Sequence, residues 1–467
     1  MSNMKKSMKR MFWMIALMFF LLMGMMIKLV LFDREEISSS AYNPRLNYID
    51  NSVRRGEIRD INEQVLAQSI LNEDGTYTRK YLRSRMAAHI TGYSSMSKTG
   101  IEASENFELQ RAHHEIWQRI KGIVTGEEIQ GNHVVLTVDM DVQSVAGNLL
   151  GDMKGAIVAI EPSTGRILAL QAYPDFDPNK VKDQWERLKE DEDSPLVNRA
   201  TQGLYPPGST FKIVTALAGM DYVKNWQDFT YDCTGEATYY NKVIHCYNNK
   251  AHGSVDMRQA LAVSCNCYFA ELSTRIGAIN LRKTADALNF NQRYGFSLAY
   301  NPSKMVLNEN STESALVETA IGQGQTLVTP LHMAMLAAAV ANDGMMMKPY
   351  LVDHIEYYNG KISKTTVPEK LRQVMSPEDA QMLKSMMTEV VSSGTGTAAQ
   401  ISGVTVAGKT GTAENATGKD HSWFIGFAPA ENPKVAVAVM LENADLGAKA
   451  TPIAGKVIKS ILDKYGN

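Results

Sequence analysis

One stretch near the N-terminus restricts this chain more than any other: from Met11 to Phe32 the only charged residue is Lys28. As a helix that run measures about 33 Å at 1.5 Å per residue, enough to cross the hydrocarbon core of a bilayer. Lys5, Lys6, Lys9 and Arg10 precede it. By the positive-inside rule residues 1–10 are then a cytoplasmic tail, and everything after Asp33 lies on the far side. A cleavable signal peptide is the competing reading, with Ser39-Ser40-Ala41 as a small-residue cleavage site. Its apolar region is typically about 7–15 residues, shorter than this one, so an uncleaved anchor over residues 11–32 is expected.

The chain as a whole has ordinary globular composition. With 44% apolar and 21% charged residues among 467, it has room for about two or three packed domains and is not mainly disordered. A net charge of −2 argues against nucleic acid as a partner. Four cysteines are too few for a disulfide framework in a chain of this length. Residues 33–130 are polar and punctuated by Gly92 and Gly100, and Arg55 to Asp60 reads as a turn into a short strand. This predicts a small juxtamembrane module, followed by a main domain over residues 131–467.

In the main domain, His133 to Val138, Gly155 to Ile160 and Arg166 to Gln171 read as strands, with Asp139 to Leu150 as an amphipathic helix. Val404 to Lys409, Ser422 to Ala428 and Val435 to Leu441 form a second strand set far downstream. Between the sets the pattern is mostly helical, and Thr329-Pro330 is a strong helix start. The expectation is an α+β domain: one antiparallel sheet closed by distant segments, with a helical insertion packed on it.

Three short elements carry the chemistry. Ser209-Thr210-Phe211-Lys212 follows Tyr205-Pro206-Pro207-Gly208, and Ser264-Cys265-Asn266 and Lys409-Thr410-Gly411-Thr412 come later. Pro207 and Gly208 predict a helix start that leaves Ser209 at its N-terminal end, where backbone N–H groups and the dipole favour a developing anion. Lys212 then lies at i+3, on the face of Ser209. A serine hydroxyl is a poor nucleophile until a base takes its proton. A lysine is such a base when desolvation or a second cation lowers its pKa, and Lys409 is the expected second cation.

Each element alone is weak. Ser2 with Lys5, Ser95 with Lys98, Ser104-Glu105-Asn106 and Lys98-Thr99-Gly100 match the same patterns, but the last three crowd into residues 95–106, two of them share Lys98, and they cannot surround a substrate. Gly403 to Thr410 also matches the phosphate-binding G-x-x-x-x-G-K-[ST] pattern. That loop needs a flexible backbone and a helix directly after the threonine, whereas Val404 to Ala407 alternate like a strand. Order, spacing and placement of the three elements carry the signal.

Together they resemble the class B penicillin-binding proteins, membrane-anchored transpeptidases with S-x-x-K and K-T-G signatures. Arg55-Gly56-x-Ile58-x-Asp60-x-Asn62 with Leu66-Ala67, Gly100-Ile101-Glu102 with Leu109, Pro174 to Asn179, and Gly322-Gln323-Gly324 with Thr329-Pro330 are also similar to that family. Ile61 and Glu63 depart from its usual basic residue and glycine around Asn62. The resemblance implies a penicillin-binding/β-lactamase-like fold, with a five-stranded antiparallel sheet, flanking helices and a helical subdomain. It implies peptidoglycan stem peptides as substrates, β-lactams as inhibitors, and a membrane glycosyltransferase of the elongation, division or sporulation machinery as partner.

It also implies roles. Ser209 attacks the penultimate D-alanine carbonyl, Lys212 takes the serine proton, and Ser264 relays a proton to the leaving amine. Asn266 holds a substrate amide, Lys409 orients Ser264, and Thr410, Gly411 and Thr412 bind the carboxylate. Backbone N–H groups of Ser209 and Thr412 form the oxyanion hole, and no metal or cofactor is required. A D,D-carboxypeptidase, a β-lactam sensor and a β-lactamase are alternatives on the same fold.

The cysteines leave two readings open: a disulfide between Cys233 and Cys246, or two buried thiols. A zinc site completed by His245 and His252 fits no standard finger spacing. Cys265 and Cys267 read as packing residues beside Ser264. His421 precedes the strand facing Lys409 and is expected near the site or as an edge-strand histidine.

Overall fold

The computed structural model describes residues 2–31, 54–110, 130–239, 241–415, 418–444 and 449–466. Helix α1 (Ser2–Leu31) contains the apolar run, and Lys6–Met26 is long and apolar enough to cross a membrane. Phe12, Trp13 and Phe19 on it are 66%, 69% and 69% exposed, so lipid rather than this chain would cover them. Phe32 and the Ser39 to Ala41 segment lie outside the described residues.

The juxtamembrane module contributes β1 (Ile58–Arg59), β2 (Val65–Leu71) and β3 (Tyr77–Tyr81), and β4 (His133–Leu136) runs parallel to β1. Beyond β4 the sheet continues with Val352–Glu356 and Ile362–Thr365, giving six strands. Those two strands interrupt the stretch expected to be helical. They were missed because their sequence, with His354, Glu356 and Lys364, lacks the apolar alternation of a half-buried strand.

The family-like residues of the module explain how it is joined. Glu102 is fully buried and accepts from Arg55 Nη2 and Arg79 Nε, both at 2.6 Å. The two guanidinium groups hold its carboxyl below the usual range against the opposing effect of burial. A Cβ on Gly56 would sit 1.7 Å from the Asn132 carbonyl oxygen. Asp60 accepts from the backbone N–H of Met140 at 3.1 Å, which ties the module to the start of the next helix.

The central sheet follows the expected period. Strands β5 (Gly155–Ile160), β6 (Ile167–Tyr173), β7 (Ala407–Ala413), β8 (His421–Ala428) and β9 (Val435–Leu441) are ordered β7-β8-β9-β5-β6, all antiparallel. Around it in chain order come helices α2 (Met140–Leu150), α3 (Lys212–Tyr222), α4 (Asn266–Ile276), α5 (Pro330–Ala341), α6 (Pro377–Ser392) and α7 (Ala450–Tyr465). Alternate residues of β9 face opposite layers. Ala436, Ala438 and Met440 join the core containing α5, while Val437, Val439 and Leu441 join the core containing α7. Helix α5 is buried along its whole length, with Thr329 capping it through His332 N–H.

Strand β7 begins at Ala407 rather than Val404 and runs on to Ala413. Ile401 and Val404 form a bridge around Gly403, whose φ of +75° makes the turn, so pairing with β8 starts only at Ala407 with Phe427. The shift matters because it puts the whole Lys409 to Thr412 motif on an edge strand.

Candidate active site

Gly208–Phe211 is a 3-10 turn that runs into α3. In such a turn side chains three apart eclipse, which puts Ser209 and Lys212 on one side. The turn is clamped by glycines. Gly208 has φ +53°, its N–H donates to Gly322 O at 2.9 Å, and a Cβ on it would lie 2.2 Å from Thr412 O. A Cβ on Gly322 would lie 1.8 Å from Gly208 O. Trp423 Nε1 donates to Pro206 O at 3.0 Å from the neighbouring strand. Ser209 is half-buried between the buried Gly208 and Thr210.

Two amines converge on Ser264. Lys212 Nζ donates to Ser264 O at 2.7 Å, Ser264 Oγ at 3.2 Å and Asn266 Oδ1 at 2.5 Å. Lys409 Nζ donates to Ser264 Oγ at 3.0 Å and Thr410 O at 3.0 Å. Ser264 itself has φ +60°, a strained conformation for a residue with a Cβ, held by these contacts. Asn266 opens α4, and its Nδ2 donates to His245 O at 2.7 Å, which turns its amide oxygen toward Lys212.

Both amines are fully buried. Loss of water pushes Lys212 down to about 8. Burial, and then the charge of Lys212, push Lys409 well below its ordinary value. One ammonium charge on the pair is therefore favoured over two near neutral pH. Among the described residues the Ser209 hydroxyl makes no hydrogen bond, because the donors of Lys212 are committed to Ser264 and Asn266.

Strand β7 forms the opposite wall as the sheet's edge. Its period sends Lys409, Gly411 and Ala413 to the buried side and leaves Thr410 and Thr412 half-exposed. A Cβ on Gly411 would come within 2.9 Å of Thr210 Cγ2, so the strand and the Ser209 turn touch. Ser95, Lys98 and Ser104 stay in the juxtamembrane module and join none of this. Thr410 lies mid-strand with no helix after it, which removes the phosphate-loop reading.

The comparisons with known proteins agree with this geometry. Residues 155–463 match the penicillin binding protein transpeptidase domain, and residues 55–134 match the penicillin binding protein A dimerisation domain. The chain belongs to the class B penicillin-binding proteins. The peptidoglycan D,D-transpeptidase PbpA of Mycolicibacterium smegmatis is 34% identical over 92% of this chain and 94% of its own length. The D,D-transpeptidase MrdA of Acinetobacter baumannii is 32% identical over 70% of this chain and 53% of its own. The crystal structure of PBPA from Mycobacterium tuberculosis superposes with a TM-score of 0.82 at 34% identity, covering 88% of this chain and all of that one. The same protein has been solved as a penicillin G acyl-enzyme complex, with a TM-score of 0.81, 34% identity and coverage of 88% and 100%.

Of the two readings of the cysteines, the structure of this penicillin-binding protein has the buried thiols. All four are buried and free, and the Sγ atoms of Cys233 and Cys246 are 3.6 Å apart. Cys246 Sγ is 3.8 Å from Cys265 Sγ, and Cys233 Sγ is 3.5 Å from His252 Nδ1. A tetrahedral zinc site with Zn–S near 2.3 Å has a ligand–ligand edge of about 3.8 Å. Cys233, Cys246, Cys265 and His252, whose donor atoms all lie within 4.8 Å of one another, fit that donor set. His245 instead pairs with Glu236 at 3.4 Å. Cys265, read from the sequence as a packing residue, joins this cluster and is the chain neighbour of both Ser264 and Asn266.

His421 does not join the amines. Its ring meets Tyr205 edge-on at 5.6 Å and its Nδ1 accepts from Asn443 N–H at 3.2 Å, so it supports the turn that carries Ser209. Thr395, which no motif marked, lies 2.7 Å from Thr410, hydroxyl to hydroxyl.

Proposed function

We propose that Ser209 is the acylated nucleophile of a penicillin-sensitive serine D,D-transpeptidase that cross-links peptidoglycan stem peptides. The observation that carries this reading is the convergence of two buried amines on one serine hydroxyl beside the Ser209 turn. Ser209 Oγ attacks the carbonyl carbon of the penultimate D-alanine, and neutral Lys212 takes the hydroxyl proton. The oxyanion collects at the backbone N–H groups of Ser209 and Thr412, where one donor is worth about 2.7–4 kcal/mol. Ser264, held between the two amines, passes a proton to the departing D-alanine nitrogen as the C–N bond breaks.

While Lys212 is neutral as the base, the one charge of the pair sits on Lys409, which holds Ser264 and draws in the substrate carboxylate that Thr410, Gly411 and Thr412 receive. Asn266 takes a substrate amide, and the substrate peptide lies against the free edge of β7. The amine of a second stem peptide then attacks the ester and releases Ser209. A β-lactam acylates Ser209 by the same first step. No step calls on a cofactor.

The same reading places α1 in the cell membrane, with residues 1–10 cytoplasmic and the catalytic domain extracytoplasmic. Residues 33–130 act as the module through which a membrane glycosyltransferase docks, and residues 131–467 as the transpeptidase domain. A fluorescent penicillin applied to the wild type, Ser209→Ala and Ser95→Ala tests the assignment. Loss of label in Ser209→Ala alone is expected; loss in Ser95→Ala, or retention in Ser209→Ala, overturns it.

A further inference from the structure

We infer that Thr395 is a positioning residue for substrate carboxylate, acting by setting the direction in which the Thr410 hydroxyl donates. This rests on the carboxylate role of Thr410 given above. Thr395 lies in the tight turn after α6, between Gly394 and Gly396. A Cβ on Gly394 would meet Ala262 O at 2.3 Å, and one on Gly396 would meet Val390 O at 3.1 Å, so the turn needs both glycines to come this close. The Thr395 N–H donates to Ala262 O at 3.0 Å, two residues before Ser264. Its Oγ1 is 2.7 Å from Thr410 Oγ1. One exposed residue thus joins the segment carrying Ser264 to the strand carrying Lys409.

The hydrogen-bond arithmetic gives this contact a function. Each hydroxyl has one proton to donate, and a carboxylate only accepts. If Thr395 donates to Thr410, the Thr410 proton is left over and points into the cleft. A ligand carboxylate then ends a one-way chain, Thr395 to Thr410 to carboxylate, in which each bond polarises the next. Among the described residues the Thr410 hydroxyl has no other partner, so without Thr395 its direction is unset. The branched Cβ of Thr395 limits χ1 and keeps the hydroxyl in place.

The test compares acylation of the full-length protein by penicillin G and by its methyl ester, whose carboxylate is masked. Thr395→Val keeps the shape and removes the hydroxyl. It is expected to slow acylation by the free acid about three- to tenfold and to leave the ester rate within about twofold. Thr395→Ser is expected to restore the wild-type ratio of acid to ester, and unfolding temperatures report whether the turn is intact. Equal slowing of both ligands, or no slowing of the free acid, overturns the inference. Thr410→Val separates the two layers: if it too leaves the acid-to-ester ratio unchanged, the carboxylate reading itself fails. If only Thr395→Val leaves it unchanged, the role of Thr395 fails alone.

Discussion

Replacing Lys409 with methionine isolates the electrostatic heart of the site. Lys212 and Lys409 reach the same Ser264 oxygen at 3.2 and 3.0 Å, so their nitrogens are no more than about 6 Å apart. At an effective dielectric constant near 20, two unit charges at that separation repel by about 2.8 kcal/mol, or about two pH units. Burial alone brings Lys212 down to about 8, and on the proposed mechanism, in which Lys409 carries the charge of the pair, repulsion lowers it further. At about 8, about a tenth of Lys212 is neutral at pH 7 and about half at pH 8, and the charge on Lys409 raises both fractions. Wild-type acylation should therefore rise by less than about fivefold between those values.

Lys409→Met removes the repulsion but not the burial, so the base rises by about two units to about 8 and only about a tenth of it is neutral at pH 7. The assay is the second-order rate of fluorescent penicillin acylation from pH 6 to 10. The mutant rate should be low at neutral pH and recover in part as pH rises. A midpoint that stays put, or moves to lower pH, would refute the shared-charge reasoning even if the mutant were slow.

Glu102→Gln takes from Arg55 and Arg79 the carboxylate that both reach at 2.6 Å and should cost about 3–5 kcal/mol in denaturant unfolding of the module; a loss below about 1 kcal/mol would mean that the triad is not what joins it. Gly208→Ala forces a Cβ toward Thr412 O at a positive φ, and acylation should fall more than about tenfold while the chain stays folded. Alkylation of the denatured, unreduced protein should label all four cysteines; protection of Cys233 and Cys246 together would restore the disulfide. Equimolar zinc should shield Cys233, Cys246 and Cys265 in the native protein, and unchanged reaction rates would show that the donor set binds no zinc.

Much of this was legible because local pattern and final position coincide. The β9 run Val435–Leu441 alternates between two cores, and Thr329-Pro330 starts a fully buried helix, so period and capping sufficed. Lys212, Ser264, Asn266 and Lys409, which the structure brings together, each sit in a short pattern whose order is informative, as does Ser209. What stayed hidden depended on distant contacts. Val352–Glu356 is a strand only because β4 lies beside it. Cys265 becomes a partner of Cys246 only when the loop from Cys233 to His252 folds back over α4. Thr395 has no pattern of its own, and its place is set by Ala262 and Thr410 from either side.

Peptide mapping after brief exposure to penicillin G examines the nucleophile itself. A single adduct of the intact drug's mass on the peptide holding Ser209, lost in Ser209→Ala, is the expected outcome. An adduct on the peptide of Ser264, or full modification with Ser209 removed, would show that the two amines serve a different hydroxyl.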